Sequence, residues 1–373
     1  MPDLLLRLFH AAETVDASDI HLTRDEPPYL RVGGKLASVK DHPLSEQDIL
    51  ELLRPTLDDS RLRRFEERGY VDFAYETRLV IDGTERAVRY RMHLYRSRGS
   101  LTAALRRIKL EIPTFEQLHL PPVYEKAITL RPKGIIIVGG ETGSGKSTTM
   151  AAMLDYVNSR EQKHIVTVED PIEFIIPNKK CKINQRELGQ DFVDFPDALR
   201  AIVREDPDVI MIGELRDSET VKAAVAAAET GHLVLTSLHT ASAPEALHRI
   251  LYFFPPHEEH MVRQNLASTL IAIMNQMLLP VVDNQVARLK SKRIPTTEVL
   301  VNTSVVKEYL RDPARDQELA DLISGDKVGD EAGSHDFNYS LKRLCQRDII
   351  DQETALRSSL RPEQLRMILK GIG

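Results

Sequence analysis

The 373 residues carry 50 Lys+Arg against 56 Asp+Glu, a formal net charge of −6, with 42% hydrophobic and 28% charged residues. That balance excludes a disordered, collagenous or disulfide-stapled chain, leaves ample material for a large core, and suggests two or so domains at the usual ~100–200 residues each. The mild negative charge argues against a protein whose main work is coating nucleic acid, and Cys181 and Cys345 are too few for a disulfide framework or a four-cysteine zinc site and fit a reducing, cytosolic compartment.

At the N-terminus Leu4, Leu5, Leu8 and Phe9 share one helical face, in a run too short and interrupted for a signal peptide. Ile20, Leu22 and Tyr29 to Val32, ahead of Gly33-Gly34, read as strands around a turn. Ser45, with Asp48 three residues on, caps a helix running toward Leu53. From Val88 to Leu94 the alternation puts Val88, Tyr90, Met92 and Leu94 on one face and Arg89, Arg91 and His93 on the other, a half-buried strand with a basic outer face. Leu101 to Ile108 continues the sheet.

The Pro-bearing stretch from Lys109 to Pro122 reads as the interdomain connection, with a short helix over Phe115 to Leu118. Beyond it strands over Gly134–Val138, Ile165–Val168, Val209–Ile212 and Leu233–Leu238 alternate with helices over Gly145–Asn158, Asp197–Arg204 and Ser218–Glu229. Such alternation predicts a mainly parallel sheet covered by helices. No run approaches the ~20 apolar residues of a membrane span, so any work at a membrane is that of a peripheral partner. Leu266 to Leu279, broken by Asn275 and Gln276, reads either as core or as subunit interface. From about Val305 helices follow, interrupted by a polar loop, Gly325 to Gly333. The expected division is an N-terminal domain over 1–112, a linker over 113–130, a catalytic core over 131–300 and a helical C-terminal region over 301–373.

Gly140-Glu141-Thr142-Gly143-Ser144-Gly145-Lys146-Ser147 fits G-x-x-x-x-G-K-[ST] and Thr148 continues it, behind the apolar run Ile135–Val138 and ahead of a helix-forming run. Glycines let the backbone wrap so that N–H groups and the helix N-terminus point at phosphates. Lys146 is expected to reach the β- and γ-phosphates of ATP, and Ser147 to place a hydroxyl on Mg²⁺.

Hydrolysis further needs a group that orients water. Two apolar strands end in carboxylates, Val166-Thr167-Val168-Glu169 and Val209 to Ile212 followed by Gly213-Glu214. This is the Walker B pattern, with Gly213 where the metal-holding Asp usually stands. Metal coordination then falls to Ser147 with water-bridged Glu169 or Glu214, and Glu214 is preferred as the carboxylate that activates water. A solvated strand-end acid is the plainer alternative for each. His232 precedes the strand Leu233–Leu238 and His239 ends it. A strand-end His beside a nucleotide could sense the γ-phosphate; a hydrogen-bonded structural His is the alternative. His257-Glu258-Glu259-His260 has i, i+3 spacing, unlike the zinc-protease motif, and reads as a solvated first helical turn.

With these residues in hand, the chain resembles the PilT/PilU family of type IV pilus retraction ATPases, among the secretion-superfamily traffic ATPases. Ala17-Ser18-Asp19-Ile20-His21-Leu22 and Pro27-Pro28 with Arg31-Val32 look like its N-terminal domain. Gly140–Thr148 matches its Walker A, Ile165–Phe174 its Asp box, Arg204–Glu214 its Walker B and Ala228–Thr240 its His box. The resemblance implies an α/β chain: a PAS-like α+β N-terminal domain, then a RecA-like P-loop NTPase domain. It implies a homohexameric ring in which ATP turnover rotates one domain against the other, turning an inner-membrane platform protein to retract pilin, beside a paralogous retraction ATPase in some systems. Arg98 and Arg106 fall where the family supplies charge-neutralising arginines, with Arg200 and Arg204 weaker candidates. The setting implied is cytoplasmic and peripheral at the inner membrane, with no membrane insertion and no nucleic acid.

Three departures stand out. Thr303 to Leu310 replaces the Ala-Ile-Arg-Asn-Leu-Ile motif of many PilT-type members, leaving a PilU-like or paralogous role open. Glu141, where Pro or Ala is commoner, adds negative charge near the phosphates. The paired CxxC zinc motifs of extension ATPases are missing. Three other readings compete. A nucleic-acid motor would use Arg89, Arg91, His93 and Arg96 as a basic strip, but the net charge of −6 and the lack of tryptophan disfavour it. The others are a catalytically dead ring component and a traffic ATPase of a type IV secretion system of the Dot/Icm kind.

Overall fold

In the computed structural model, which describes residues 2–39, 42–81, 83–108, 111–324 and 333–371, the chain forms two units. One comprises Met1–Glu111 with Pro171–Ile175, the other Ile112–Asp170 with Ile176–Gly373. Lys109, Leu110 and most of the polar loop expected over Gly325–Gly333 lie outside the described residues.

The first unit runs α1 (Pro2–Thr14), β1 (Asp19–Leu22), β2 (Tyr29–Val32), β3 (Lys35–Ser38), α2 (Glu46–Leu53), α3 (Asp59–Arg68), β4 (Tyr70–Ile81), β5 (Thr84–Ser97) and β6 (Ser100–Ile108). Its six strands form one antiparallel sheet in the order β3-β2-β1-β6-β5-β4. Leu5, Leu8 and Phe9 of α1 pack on Ile20, Tyr90, Met92 and Leu94 of the sheet, and the Phe9 and Tyr90 rings stack 4.2 Å apart. Ser45 and Asp48 close the expected capping box on α2. The outer face of β5 differs from expectation. Arg89 is buried, its guanidinium pairing with Glu76 at 3.4 Å and donating to the Ile172 carbonyl at 3.3 Å. Asp72 takes Arg91 at 3.7 Å and His93 at 3.0 Å, while Arg96 lies over the Phe65 ring. The basic strip is engaged within the chain, because β4 lays acids opposite it in register.

The second unit runs α4 (Val123–Leu130), β7 (Gly134–Gly139), α5 (Lys146–Arg160), β8 (His164–Glu169), β9 (Lys182–Glu187), α6 (Phe195–Ile202), β10 (Val209–Ile212), α7 (Ser218–Glu229), β11 (Leu233–Leu238), α8 (Ala243–Tyr252), α9 (Pro256–Thr269), β12 (Leu270–Pro280), α10 (Asp283–Leu289) and β13 (Arg293–Val301). Then follow α11 (Ser304–Arg311), α12 (Asp316–Ser324), α13 (Phe337–Gln346), α14 (Gln352–Ser358) and α15 (Pro362–Leu369). The sheet order is β13-β12-β7-β11-β10-β8-β9, parallel throughout except β12 with β13. Alternate strand residues feed two cores. Ile135, Ile137, Val166, Ile210 and Val234 join α6 to α9 on one face; Ile136, Val138, Ile165, Val209 and Leu235 join α4 and α5 on the other. Burial on both faces explains why these strands read as unbroken apolar runs.

One expectation is corrected, and one open alternative is decided. Phe115 to Leu118 is a turn, closed by Leu118 N–H on the Thr114 carbonyl and left through His119 at φ 55°. The helix lies one step later, where Pro122 occupies the N-cap of α4 and Val123, Tyr124, Ala127 and Ile128 are buried. The stretch Leu266–Leu279 is core: α9 ends at Thr269 and β12 begins at once, between β7 and β13.

Candidate active site

Parallel pairing puts the carboxyl ends of β7, β8, β10 and β11 on one sheet edge, where ligands of open α/β sheets bind. The loop after β7 depends on glycine for space. A Cβ on Gly139 would stand 1.7 Å from the Asn275 Oδ1. One on Gly140, whose φ is +148°, would meet the Ser144 Oγ at 2.3 Å and the Gln276 carbonyl at 2.6 Å. Glu141, Thr142 and Gly143 are exposed at the tip, so the Glu141 carboxylate stands in solvent, while Ser144 and Lys146 are buried and Gly145, Ser147 and Thr148 half-buried. Lys146 Nζ donates to the carbonyls of Gly140 at 2.7 Å and Glu141 at 3.0 Å. The ammonium therefore sits inside the loop curl beside the first turn of α5.

Glu169, buried at the end of β8, accepts from Thr167 Oγ1 at 2.6 Å and Gln185 Nε2 at 3.1 Å. At Gly213, where an Asp usually stands, a Cβ would come 3.4 Å from the Val168 carbonyl and 3.6 Å from the Glu169 Cα, ordinary contact distances, so space alone does not require the glycine. Its carbonyl accepts from Ser237 at 2.7 Å, tying β10 to β11. Glu214 and His239, read separately in the sequence, meet, with His239 Nε2 3.1 Å from Glu214 Oε2. The sequence reading missed a third partner, Arg216, which bonds Glu214 through Nε and bridges to Asp170 at 3.1 Å. Burial alone would lower the Arg216 pKa; the two carboxylates outweigh it and raise it. The spacing Glu214-x-Arg216 was visible, but which carboxylates it reaches depends on β8 lying beside β10.

His232 is not among them. It precedes β11 at the opposite edge, on the order of 20 Å from His239 at ~3.3 Å per strand residue. Its Nδ1 faces the Ala227 carbonyl at 2.8 Å, so it is the hydrogen-bonded structural histidine. Arg98 and Arg106 belong to the first unit. Arg98 is exposed in the β5–β6 turn with φ 51°, and Arg106 on β6 pairs with Asp19 at 2.9 Å. Arg200 is engaged on the surface by Asp197 and Glu219, and Arg204 is exposed. The His257–His260 segment is the first turn of α9, where Glu258 holds Lys222 and Glu259 holds Arg263. Cys181 and Cys345 are both thiols outside any disulfide.

Beside α5 lies a pocket of ≈ 190 Å³ whose walls include Leu118, His119, Thr148, Leu278, Arg293 and Pro295. Polar groups are mixed into those walls, which also include Gln117, Thr149, Gln276 and Ser291. Asn275 and Gln276, buried on β12, also border the phosphate loop. The sequence offered them only as interruptions in an apolar run.

A glycine loop between a buried parallel strand and a helix, with a Glu–His pair at the ends of neighbouring strands, defines the site of a P-loop ATPase on a RecA-like sheet. The family described as Type II/IV secretion system protein matches residues 3–311, and the chain belongs to it. The type IV pilus retraction ATPase PilT of Pseudomonas aeruginosa is 35% identical over 93% of this chain and 95% of its own length. The type IV pilus ATPase PilU of the same organism is 37% identical over 95% of this chain and 88% of its own. Among solved structures, the pilus retraction motor PilT with bound ADP superposes with a TM-score of 0.85 at 37% identity, covering 97% of this chain and 98% of that one. The Legionella pneumophila ATPase DotB gives 0.77 at 27%, covering 100% and 96%. The resemblance to retraction ATPases and the two-part α/β architecture expected from the sequence are borne out.

Proposed function

We propose that this chain is the ATP-hydrolysing motor of type IV pilus retraction, working as a homohexamer at the cytoplasmic face of the inner membrane. The observation that carries the reading is the Glu214–His239 pair, at the carboxyl edge of the strands beside the phosphate loop. It favours a working hydrolase over an inert ring component. Backbone N–H groups of Gly140 to Gly145 and the α5 N-terminus hold the β- and γ-phosphates, and Lys146 exchanges the Gly140 and Glu141 carbonyls for phosphate oxygens. The pocket around Thr148 and Arg293 takes the base and ribose.

Ser147, at the first turn of α5, offers the hydroxyl for Mg²⁺, which when bound neutralises charge on the phosphate oxygens. Among the described residues no three His, Cys, Asp or Glu converge on a metal position. This fits a cation held mainly by phosphates and water. Glu214 orients the attacking water, His239 reports the γ-phosphate to it, and Glu169 supports the metal's water shell. Arg98 and Arg106 supply positive charge in the transition state. The division into an N-terminal domain over 1–112 and a catalytic core over 131–300, joined by 113–130, belongs to the same reading, as do an inner-membrane platform partner and a paralogous retraction ATPase. Among the described residues no helix is long and apolar enough to cross a membrane.

The test is Glu214→Gln. Removing a positioned base costs ~10²–10⁴ in rate, so MgATP hydrolysis should fall at least 100-fold while binding of fluorescent methylanthraniloyl-ADP is retained. Wild-type turnover in the variant would overturn the assignment. A traffic ATPase of a type IV secretion system is the second reading, favoured by the DotB likeness over the whole chain. Restoration of twitching, rather than of effector export, in strains lacking each motor separates the two.

A further inference from the structure

Gln276 is 2% exposed, and both ends of its side-chain amide are spent on the phosphate loop and the helix behind it. Its Nε2 donates to the Ser144 carbonyl at 2.8 Å, and Thr149 Oγ1, itself buried, donates to its Oε1 at 3.0 Å. The Ser144 carbonyl can only accept, which fixes the amide's orientation. The Gln276 backbone carbonyl also closes the space above Gly140. One residue of β12 thus touches the loop at its start, at Ser144 and one turn into α5. A buried amide with one partner lost leaves the other unsatisfied, so the set holds together or fails together.

We propose that Gln276 is a positioning residue for the phosphate loop, pinning the Ser144–Gly145 peptide to α5 so that the loop N–H groups stay aimed at the phosphates. This rests on the reading of the loop as the nucleotide site. A loop that grips ground state and transition state alike acts on KM and not on kcat.

The test compares Gln276→Leu, Thr149→Val and Thr149→Ser with wild type by methylanthraniloyl-ADP binding and by steady-state MgATP hydrolysis, all well below the melting temperature. Gln276→Leu should raise Kd and KM about tenfold with kcat within twofold. Thr149→Val should weaken binding several-fold, and Thr149→Ser, which keeps the hydroxyl, should restore it. In the Gln276→Leu background Thr149→Val should add little, because their shared bond is already gone. If Gln276→Leu does not fold, the Thr149 pair carries the test. Wild-type Kd and KM in a Gln276→Leu protein that merely melts earlier would overturn the proposal and leave Gln276 a packing residue. Failure of the wild type to bind the probe would instead overturn the nucleotide-site reading beneath it.

Discussion

Glu298 carries a charge problem that the fold solves with a proton. It lies on β13 in register with Asn275, 7% exposed, and accepts the Ala243 N–H at the start of α8 at 2.6 Å. Burial pushes its carboxyl up to about 7, with Asp336 adding to the rise. Between its ordinary 4.5 and about 7 the folded chain holds a proton that the unfolded chain has shed. Stability from this group is therefore full at lower pH and falls as pH rises through that window. At ~1.4 kcal/mol per unit the loss is on the order of 3 kcal/mol. Glu298→Gln keeps the acceptor for Ala243 and removes the charge. Urea unfolding should find it more stable than wild type by on the order of 2–3 kcal/mol at pH 8 and nearly equal at pH 5; an equal gain at both would show that charge is not the cause. Glu214 contrasts with it in position, half-buried and flanked by His239 and Arg216.

At the scale of elements, α9 and α12 are joined by one buried cation. Arg263 binds Asp316 at 2.8 Å, Glu259 at 3.0 Å and the Leu310 carbonyl at 3.3 Å. Arg263→Met should cost ~3–5 kcal/mol by stranding Asp316, and adding Asp316→Leu should recover much of it, as buried pairs replaced whole often do. Guanidinium melts of the single and double variants decide this. Elements whose signals are local were legible in the sequence. β10, α7 and β11 fall at the expected residues, since apolar runs of strand length alternate with a helix capped by Asp217. The phosphate loop was legible for the same reason. β12 was not: an apolar run has no period to tell strand from interface. The partners that explain Gln276 lie 127 and 132 residues away in sequence. His239 and His232 looked alike because both flank one strand, and only the direction of β11 beside β7 separates them. Arg216 needed the neighbouring order of β8 and β10 for the same reason.

At the scale of the molecule, the acids facing the β5 basic strip make a nucleic-acid role testable. Single- or double-stranded DNA should leave MgATP hydrolysis unchanged at low salt; stimulation would revive the nucleic-acid motor. If the working unit is a ring whose subunits fire in concert, titrating Glu214→Gln subunits into wild type should lower activity more steeply than the fraction added. A linear decline would mark independent sites. The strand order has a further consequence during synthesis. β7 (Gly134–Gly139), buried along its whole length, is flanked by β11, which begins 99 residues after it at Leu233 (233 − 134), and by β12, which begins 136 after it at Leu270 (270 − 134). At ~5–20 residues per second on the ribosome, its two hydrogen-bonding edges stay bare for on the order of ten seconds. In that interval the strand leading into the phosphate loop is open to pairing with any other unfinished chain, so edge-to-edge aggregation competes with folding until β12 arrives to close it.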